Sequence, residues 1–273
     1  MDEIDRFLRE DLGKIGDITS DALFTKEIAH ASIIAKEDCV VAGLEEAQVV
    51  FKKVGATATP QAKDGAPVKK GTRVLKIVGP VRSILKGERL ALNILGRMSG
   101  IASETKRLVQ RCRTINPKVT IAATRKTTPG FRSFEKKAII LGGGEPHRYG
   151  LYDAILIKDN HLKIIGSVEK AIQKVKAKVR GKTIEIEVEN ESDALAAARM
   201  DVEVIMLDNM DPQTGETVAR KIRQINPDIL IEVSGGITGE NIEEYALYAD
   251  RISLGSLTHS IKSKDFSLEI FKN

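Results

Sequence analysis

The chain has 273 residues, 43 Lys plus Arg against 38 Asp plus Glu for a net charge of +5, and 42% hydrophobic residues. That apolar content builds a sizeable core and excludes intrinsic disorder as the main state. Apolar runs stop short of the ~18 to 20 residues of a membrane span, and two cysteines, Cys39 and Cys112, show no pairing pattern, so an unprocessed, cytoplasmic protein with no membrane partner is expected.

In chain order, Asp2–Leu12 carries Ile4, Phe7, Leu8 and Leu12 at helical spacing, and the turn-rich Gly13–Ser20 follows. Strand-like runs at Ala31–Ala35, Cys39–Ala42 and Arg73–Val78, a helix at Glu45–Val54 and a turn at Gly65–Gly71 read as a small α+β layer. A long helical pattern from Ile84 to Cys112 is expected to break or be closely approached at Gly96 and Ser99-Gly100. Beyond it, strand-like runs at Val119–Ala123, Ala154–Ile157, Thr183–Val188, Val204–Leu207, Ile229–Val233 and Ile252–Leu254 alternate with helical patterns. Such alternation predicts a parallel sheet, and with no G-x-G-x-x-G after any strand an α/β barrel of fewer than eight strands is favoured over a dinucleotide-binding open sheet.

Two further signals weigh against other classes. Gly181-Lys182-Thr183 fails as a P-loop, because Lys176 stands where its first glycine belongs. The basic run Lys170, Lys174, Lys176, Lys178, Arg180 and Lys182 has Ile172, Val175 and Val179 on its apolar side and reads as a solvated helix face. Despite a sequence pI near 9.0, the 4% of aromatics and absence of Trp leave few stacking platforms, so no nucleic-acid partner is expected.

In an α/β barrel the active site collects at the carboxyl ends of the strands. Here the apolar runs end in Thr124-Arg125-Lys126-Thr127, Lys158-Asp159-Asn160-His161, Glu187-Val188-Glu189, Asp208-Asn209, Ser234-Gly235-Gly236 and Gly255-Ser256. The loop Gly142-Gly143-Gly144-Glu145-Pro146-His147-Arg148 adds two more basic residues. Arg125, Lys126, His147, Arg148 and Lys158 are five potential cations around one pocket, which implies a multiply anionic, carboxylate-bearing substrate. Glu187 and Asp208 would face the same cavity, to bind Mg2+, hold sugar hydroxyls, offset developing positive charge or simply pair with the cations. The late glycine-rich ends Ser234–Gly236 and Gly255–Ser256 suit a phosphate. The histidines His30, His147, His161 and His259 lack zinc-hydrolase spacing, and neither cysteine has a neighbouring base.

Taken in order, Glu88-Arg89 with Asn93, Ser99-Gly100-Ile101-Ala102, Arg125-Lys126-Thr127, the Gly142–Arg148 loop, Lys158–His161, Leu207–Asn209 and Ser234–Ile237 resemble the quinolinate phosphoribosyltransferases, the nicotinate-nucleotide pyrophosphorylases among type II phosphoribosyltransferases. The resemblance implies an N-terminal α/β sandwich over residues 1–103, joined by the tail 260–273, and an irregular α/β barrel over residues 104–259. It also implies Mg-dependent transfer of phosphoribose to quinolinate with decarboxylation, in NAD biosynthesis, with no organic cofactor. Arg89 would reach a neighbouring subunit's site in a homodimer or a trimer of dimers, and Arg125, His147, Arg148 and Lys158 would bind the quinolinate carboxylates. Lys126, Glu187 and Asp208 would serve the phosphoribosyl pyrophosphate end, where Mg2+ sits on the pyrophosphate and ribose hydroxyls, Thr124 would be a substrate-binding residue, and Ser234, Gly235, Gly236, Gly255 and Ser256 would hold the 5′-phosphate. Asp11–Asp17 is one residue longer than the family's turn, Ser103 replaces a common Thr, and Pro146 replaces an Asn. Other readings are a phosphoribosyltransferase for nicotinate or another heteroaromatic acid, a barrel aldolase with Lys158 as Schiff base, and a nucleic-acid binder.

Overall fold

A computed structural model describes residues 2–271. In chain order its elements are α1 (Glu3–Leu12), α2 (Ile18–Leu23), β1 (Ile28–Ala35), β2 (Cys39–Val40), α3 (Leu44–Val54), β3 (Thr57–Pro60), β4 (Pro67–Val68), β5 (Arg73–Pro80) and α4 (Val81–Ile115). There follow β6 (Thr120–Ala122), α5 (Arg132–Leu141), β7 (Ile155–Ile157), α6 (Asp159–Ile165), α7 (Val168–Lys178), β8 (Ile184–Val188) and α8 (Glu191–Ala198). The chain closes with β9 (Val204–Asp208), α9 (Pro212–Ile225), β10 (Leu230–Ser234), α10 (Ile242–Ala246), β11 (Arg251–Ser253), α11 (Ser256–His259) and β12 (Phe266–Phe271). No helix among the described residues is long and apolar enough to cross a membrane.

Two compact units form, one of residues 1–106, 128–143 and 260–273, the other of residues 107–127 and 144–259. The first holds an antiparallel sheet of order β12-β1-β5-β3. Its inner face buries Ile33, Ala35, Leu75 and Ile77, against which α3 places Leu44, Ala47, Val50 and Phe51. Left-handed Gly43 and Gly55 bracket α3, and Asp64 accepts hydrogen bonds from the Leu44 and Glu45 N–H groups at its open amino end.

The first unit departs from the sequence reading in several ways. The span Gly65–Gly71, expected as a turn, contains the short β4, which pairs with β2. Strands β3 and β12 were not anticipated from pattern, since each is short or exposed on one face. Helix α4 runs unbroken from Val81 to Ile115. Gly96 and Gly100 do not bend it: a Cβ on Gly96 would stand 2.8 Å from the Lys264 carbonyl oxygen and one on Gly100 2.5 Å from that of Lys262. These glycines admit close backbone approach, the second of the two roles a helical glycine can serve. Boundaries drawn along the chain also put 128–143 with the barrel; instead α5 belongs to the first unit, where Lys137 pairs with Glu45 and Glu46, and Glu135 with Arg97.

In the second unit, parallel strands run in the order β6-β11-β10-β9-β8-β7. At the β6 edge of the sheet, Glu145 makes a parallel bridge to Ala122, with the Ala123 N–H donating to the Glu145 carbonyl and the Glu145 N–H to the Ile121 carbonyl. The six strands fall within the expectation of an irregular α/β barrel of fewer than eight. The outer helices start at side-chain caps: Ser167 for α7, Asn190 for α8 and Asp211, followed by Pro212, for α9. The lysines of α7 face solvent as expected, with Val168, Ala171 and Ile172 buried; Val179 lies past the helix end and is exposed.

Candidate active site

Along each barrel strand every second residue points inward. On β8 these are Glu185 and Glu187, on β9 Met206 and Asp208, on β10 Glu232 and Ser234, and Leu156 precedes Lys158 at the end of β7. A cavity of about 350 Å3 opens at the carboxyl ends. Thr124, Arg125, Lys126, His147, Arg148, Lys158, Glu187, Asp208 and Ser234 all line it, so nine residues named from sequence converge on one place.

Arg125 has a buried Nε without a hydrogen-bond partner, a donor aimed at nothing the protein supplies. Lys126 is fixed through its backbone, its N–H donating to Thr124 Oγ1 at 3.1 Å and its carbonyl accepting from Thr258 Oγ1 at 2.9 Å. Lys158 forms a close ion pair with Glu187, and its N–H donates to His161 Nδ1 at 2.9 Å. His161 is therefore a capping residue at the start of α6. Burial, and then the Arg125 charge, lower the proton affinity of Arg148, which remains a guanidinium cation as every arginine does. Burial and the neighbouring Glu187 carboxylate raise Asp208, while Lys158 and Lys126 pull it back; Asn209 Nδ2 donates to it at 2.6 Å.

The glycine-rich ends behave differently from one another. Gly235 and Gly236 both have positive φ, at +81° and +65°, and Asn209, also left-handed, donates its N–H to the Ser234 carbonyl. At Gly255 a Cβ would stand 2.8 Å from Lys126 Cδ and 3.0 Å from His259 Nε2. Gly235, Gly236, Gly255 and Ser256 lie at strand ends but do not line the cavity. Nor does Arg89, which lines a separate cavity of the first unit with Glu10, Asp11, Asn93 and Arg97.

The layer beneath was missed from sequence. His147 Nε2 stands 3.3 Å from both Glu185 and Glu232, ion-pair distances without well-aligned hydrogen bonds. Glu232 also binds Arg251 and Ser253, and Arg251 forks onto Glu145. The signal was present as polar residues at every second place in Ile184-Glu185-Ile186-Glu187, Glu232-Val233-Ser234 and Arg251-Ile252-Ser253, but attention to strand ends passed over it. His147, Glu185 and Glu232 bring their polar atoms within 4.8 Å of one another, yet Arg251 already supplies a positive charge there.

Residues 17–99 match the N-terminal domain of quinolinate phosphoribosyl transferase and residues 101–269 its C-terminal domain. A probable nicotinate-nucleotide pyrophosphorylase [carboxylating] of Archaeoglobus fulgidus is 44% identical, covering 94% of this chain and 99% of that protein. The rat nicotinate-nucleotide pyrophosphorylase [carboxylating] is 36% identical over 89% of this chain and 82% of its own. Among solved structures, the nicotinate-nucleotide pyrophosphorylase of Francisella tularensis superimposes with a TM-score of 0.92 at 34% identity, over 98% of this chain and 94% of that one. With both domain matches covering almost its whole length, the chain belongs to the quinolinate phosphoribosyltransferase family.

Proposed function

We propose that the protein transfers phosphoribose from phosphoribosyl pyrophosphate to quinolinate and releases nicotinate mononucleotide, pyrophosphate and CO2, in the cytoplasm, as a step of NAD biosynthesis. The observation that carries the reading is the cavity itself, where the cations Arg125, Lys126, Arg148 and Lys158 face the carboxylates Glu187 and Asp208. Arg125, Arg148 and Lys158, with His147, hold the two carboxylates of the acid and aim its ring nitrogen at ribose C1. The nitrogen's electron pair forms the new bond as pyrophosphate leaves with the old one. Glu187 and Asp208 lie where the ribose becomes oxocarbenium-like and stabilise that positive charge, with Lys126 drawing on the departing anion. The 2-carboxylate then leaves as CO2, its electron pair remaining on carbon beside the quaternary nitrogen until a proton is taken up.

Glu187 and Asp208 are adjacent hard oxygen donors and fit Mg2+, which when bound neutralises pyrophosphate charge. Ser234, Gly235, Gly236, Gly255 and Ser256 serve the 5′-phosphate end with Thr124. Two chains share their sites in a homodimer, Arg89 of each entering its neighbour's.

Product analysis with phosphoribosyl pyrophosphate and Mg2+ tests the reaction. Nicotinate mononucleotide, CO2 and pyrophosphate are expected from quinolinate; product from nicotinate alone would overturn the two-carboxylate pocket. For the shared site, Arg89→Ala mixed with Lys158→Ala is expected to regain activity, since exchange forms dimers with one intact site. No recovery despite verified subunit exchange would refute it.

A further inference from the structure

Arg148 reaches the cavity from the segment Gly144–Arg148, and what holds that segment in place bears on acid binding as read above. His147 is left-handed there, at φ +55° directly after Pro146, a costly conformation that its surroundings must impose. Backbone pairing ties the segment down at Glu145, through the bridge to Ala122. The carboxylate of the same residue carries a side-chain tie to β11: Arg251 Nε donates to Glu145 Oε2 at 3.1 Å and Nη2 stands 2.8 Å from Oε1, a two-point fork. Arg251 Nη1 donates in addition to Glu232 at 2.9 Å, and Glu232, wholly buried in the cavity floor, also accepts from Ser253 Oγ. One guanidinium, 14% exposed, therefore joins the loop to the floor. Arg251 itself does not line the cavity, and the fork lies three residues before Arg148.

We propose that Arg251 and Glu145 are positioning residues for the acid, whose fork sets the height and turn of the loop so that Arg148 enters the cavity beside Arg125 and Lys158. A fork fixes the planes of both groups, which a single hydrogen bond leaves free to turn, and so holds geometry even where one partner is partly open to solvent. Glu145 also has an effect of the opposite sign. Its negative charge lies near an anion site, and acting as charge alone it opposes the acid. Removing the carboxylate therefore tightens acid binding if only its charge matters, and weakens binding if the loop loses its place. Glu145 is the cleaner position to change, because loss of Arg251 would also leave the buried Glu232 without its cation.

The test is steady-state kinetics of Glu145→Ala with Mg2+, quinolinate and phosphoribosyl pyrophosphate, each substrate varied in turn. The quinolinate KM is expected to rise about tenfold or more, since a group displaced by about an ångström costs up to about 10²-fold. The change in kcat and in the phosphoribosyl pyrophosphate KM is expected to stay below about threefold, because the acid's carboxylates are held alike before and during ribosyl transfer. A quinolinate KM unchanged or lowered overturns the proposal, and so does an equal rise in both KM values, which a general loosening of the barrel gives. Should Glu145→Ala fail to fold, Glu145→Gln decides by the same sign: it removes the charge and keeps one acceptor for Arg251, so a quinolinate KM raised about threefold supports the fork and one unchanged or lowered overturns it. Absence of quinolinate turnover by the unmodified protein overturns the functional reading instead. Amide hydrogen exchange over residues 144–150 then judges the fork alone: faster exchange there in Glu145→Ala, with β8 to β10 unchanged, supports it, and unaltered exchange overturns it.

Discussion

Lys158 is held twice, by its ammonium against Glu187 and by its N–H against His161, so its side chain stands ready at the cavity wall. Removing it takes a cation from a partly dehydrated anion site and leaves Glu187 without its partner; the Lys158 side chain is 42% exposed, so solvent screening holds the loss toward the lower end of the about 2–5 kcal/mol of a fully buried pair. Lys158→Ala is therefore expected to lower kcat/KM for quinolinate by about 10²-fold with the thermal transition little changed. Near-normal kinetics in the folded variant would refute the assigned pocket. Arg125, Lys126, Arg148 and Lys158 were legible because each follows an apolar run or a glycine-rich loop. Glu185, Glu232 and Arg251 were not, because a charged residue inside a strand reads as a solvent-facing position until the barrel turns that face inward.

At the scale of elements, the glycines of α4 make an instructive case. In an isolated helix Gly100→Ala stabilises by about 1 kcal/mol, since alanine has the higher helix propensity. Here the new methyl meets the Lys262 carbonyl, and overpacking of about 1–3 kcal/mol reverses the sign. A melting temperature lower by about 2–8 °C is expected by calorimetry, and a rise would show that the tail does not press on this face. Barrel strands were found within about one residue because their apolar runs end in turns and polar residues, while the outer helices were read only as helical patterns between them. Strand β12 escaped notice because its partner, β1, is more than 200 residues away in the chain, and only that pairing makes it a strand.

For the whole molecule, the buried cluster joins the 145–148 loop to β8, β10 and β11 and makes stability depend on pH. The His147 pKa is raised in the folded state from 6.5 to about 9, so its contribution is fully present below pH 6.5 and is lost as pH rises through 9. The shift corresponds to about 3 kcal/mol. Urea unfolding at pH 6 and pH 9.5 is expected to show the native protein losing about that much more than His147→Gln between the two; equal losses would show that the ring is not held as a cation. The sequence by itself determined the α/β class, the six barrel strands and most of the cation set, because apolar period, strand-end chemistry and motif order are local properties that neighbouring residues carry. Only the tertiary structure decided which unit α5 joins, how Glu145 stands in for a strand, and that His147 turns toward Glu185 and Glu232. Those outcomes depend on backbone pairing and charge compensation between residues far apart in the chain, whose energies exist only once the strands are assembled.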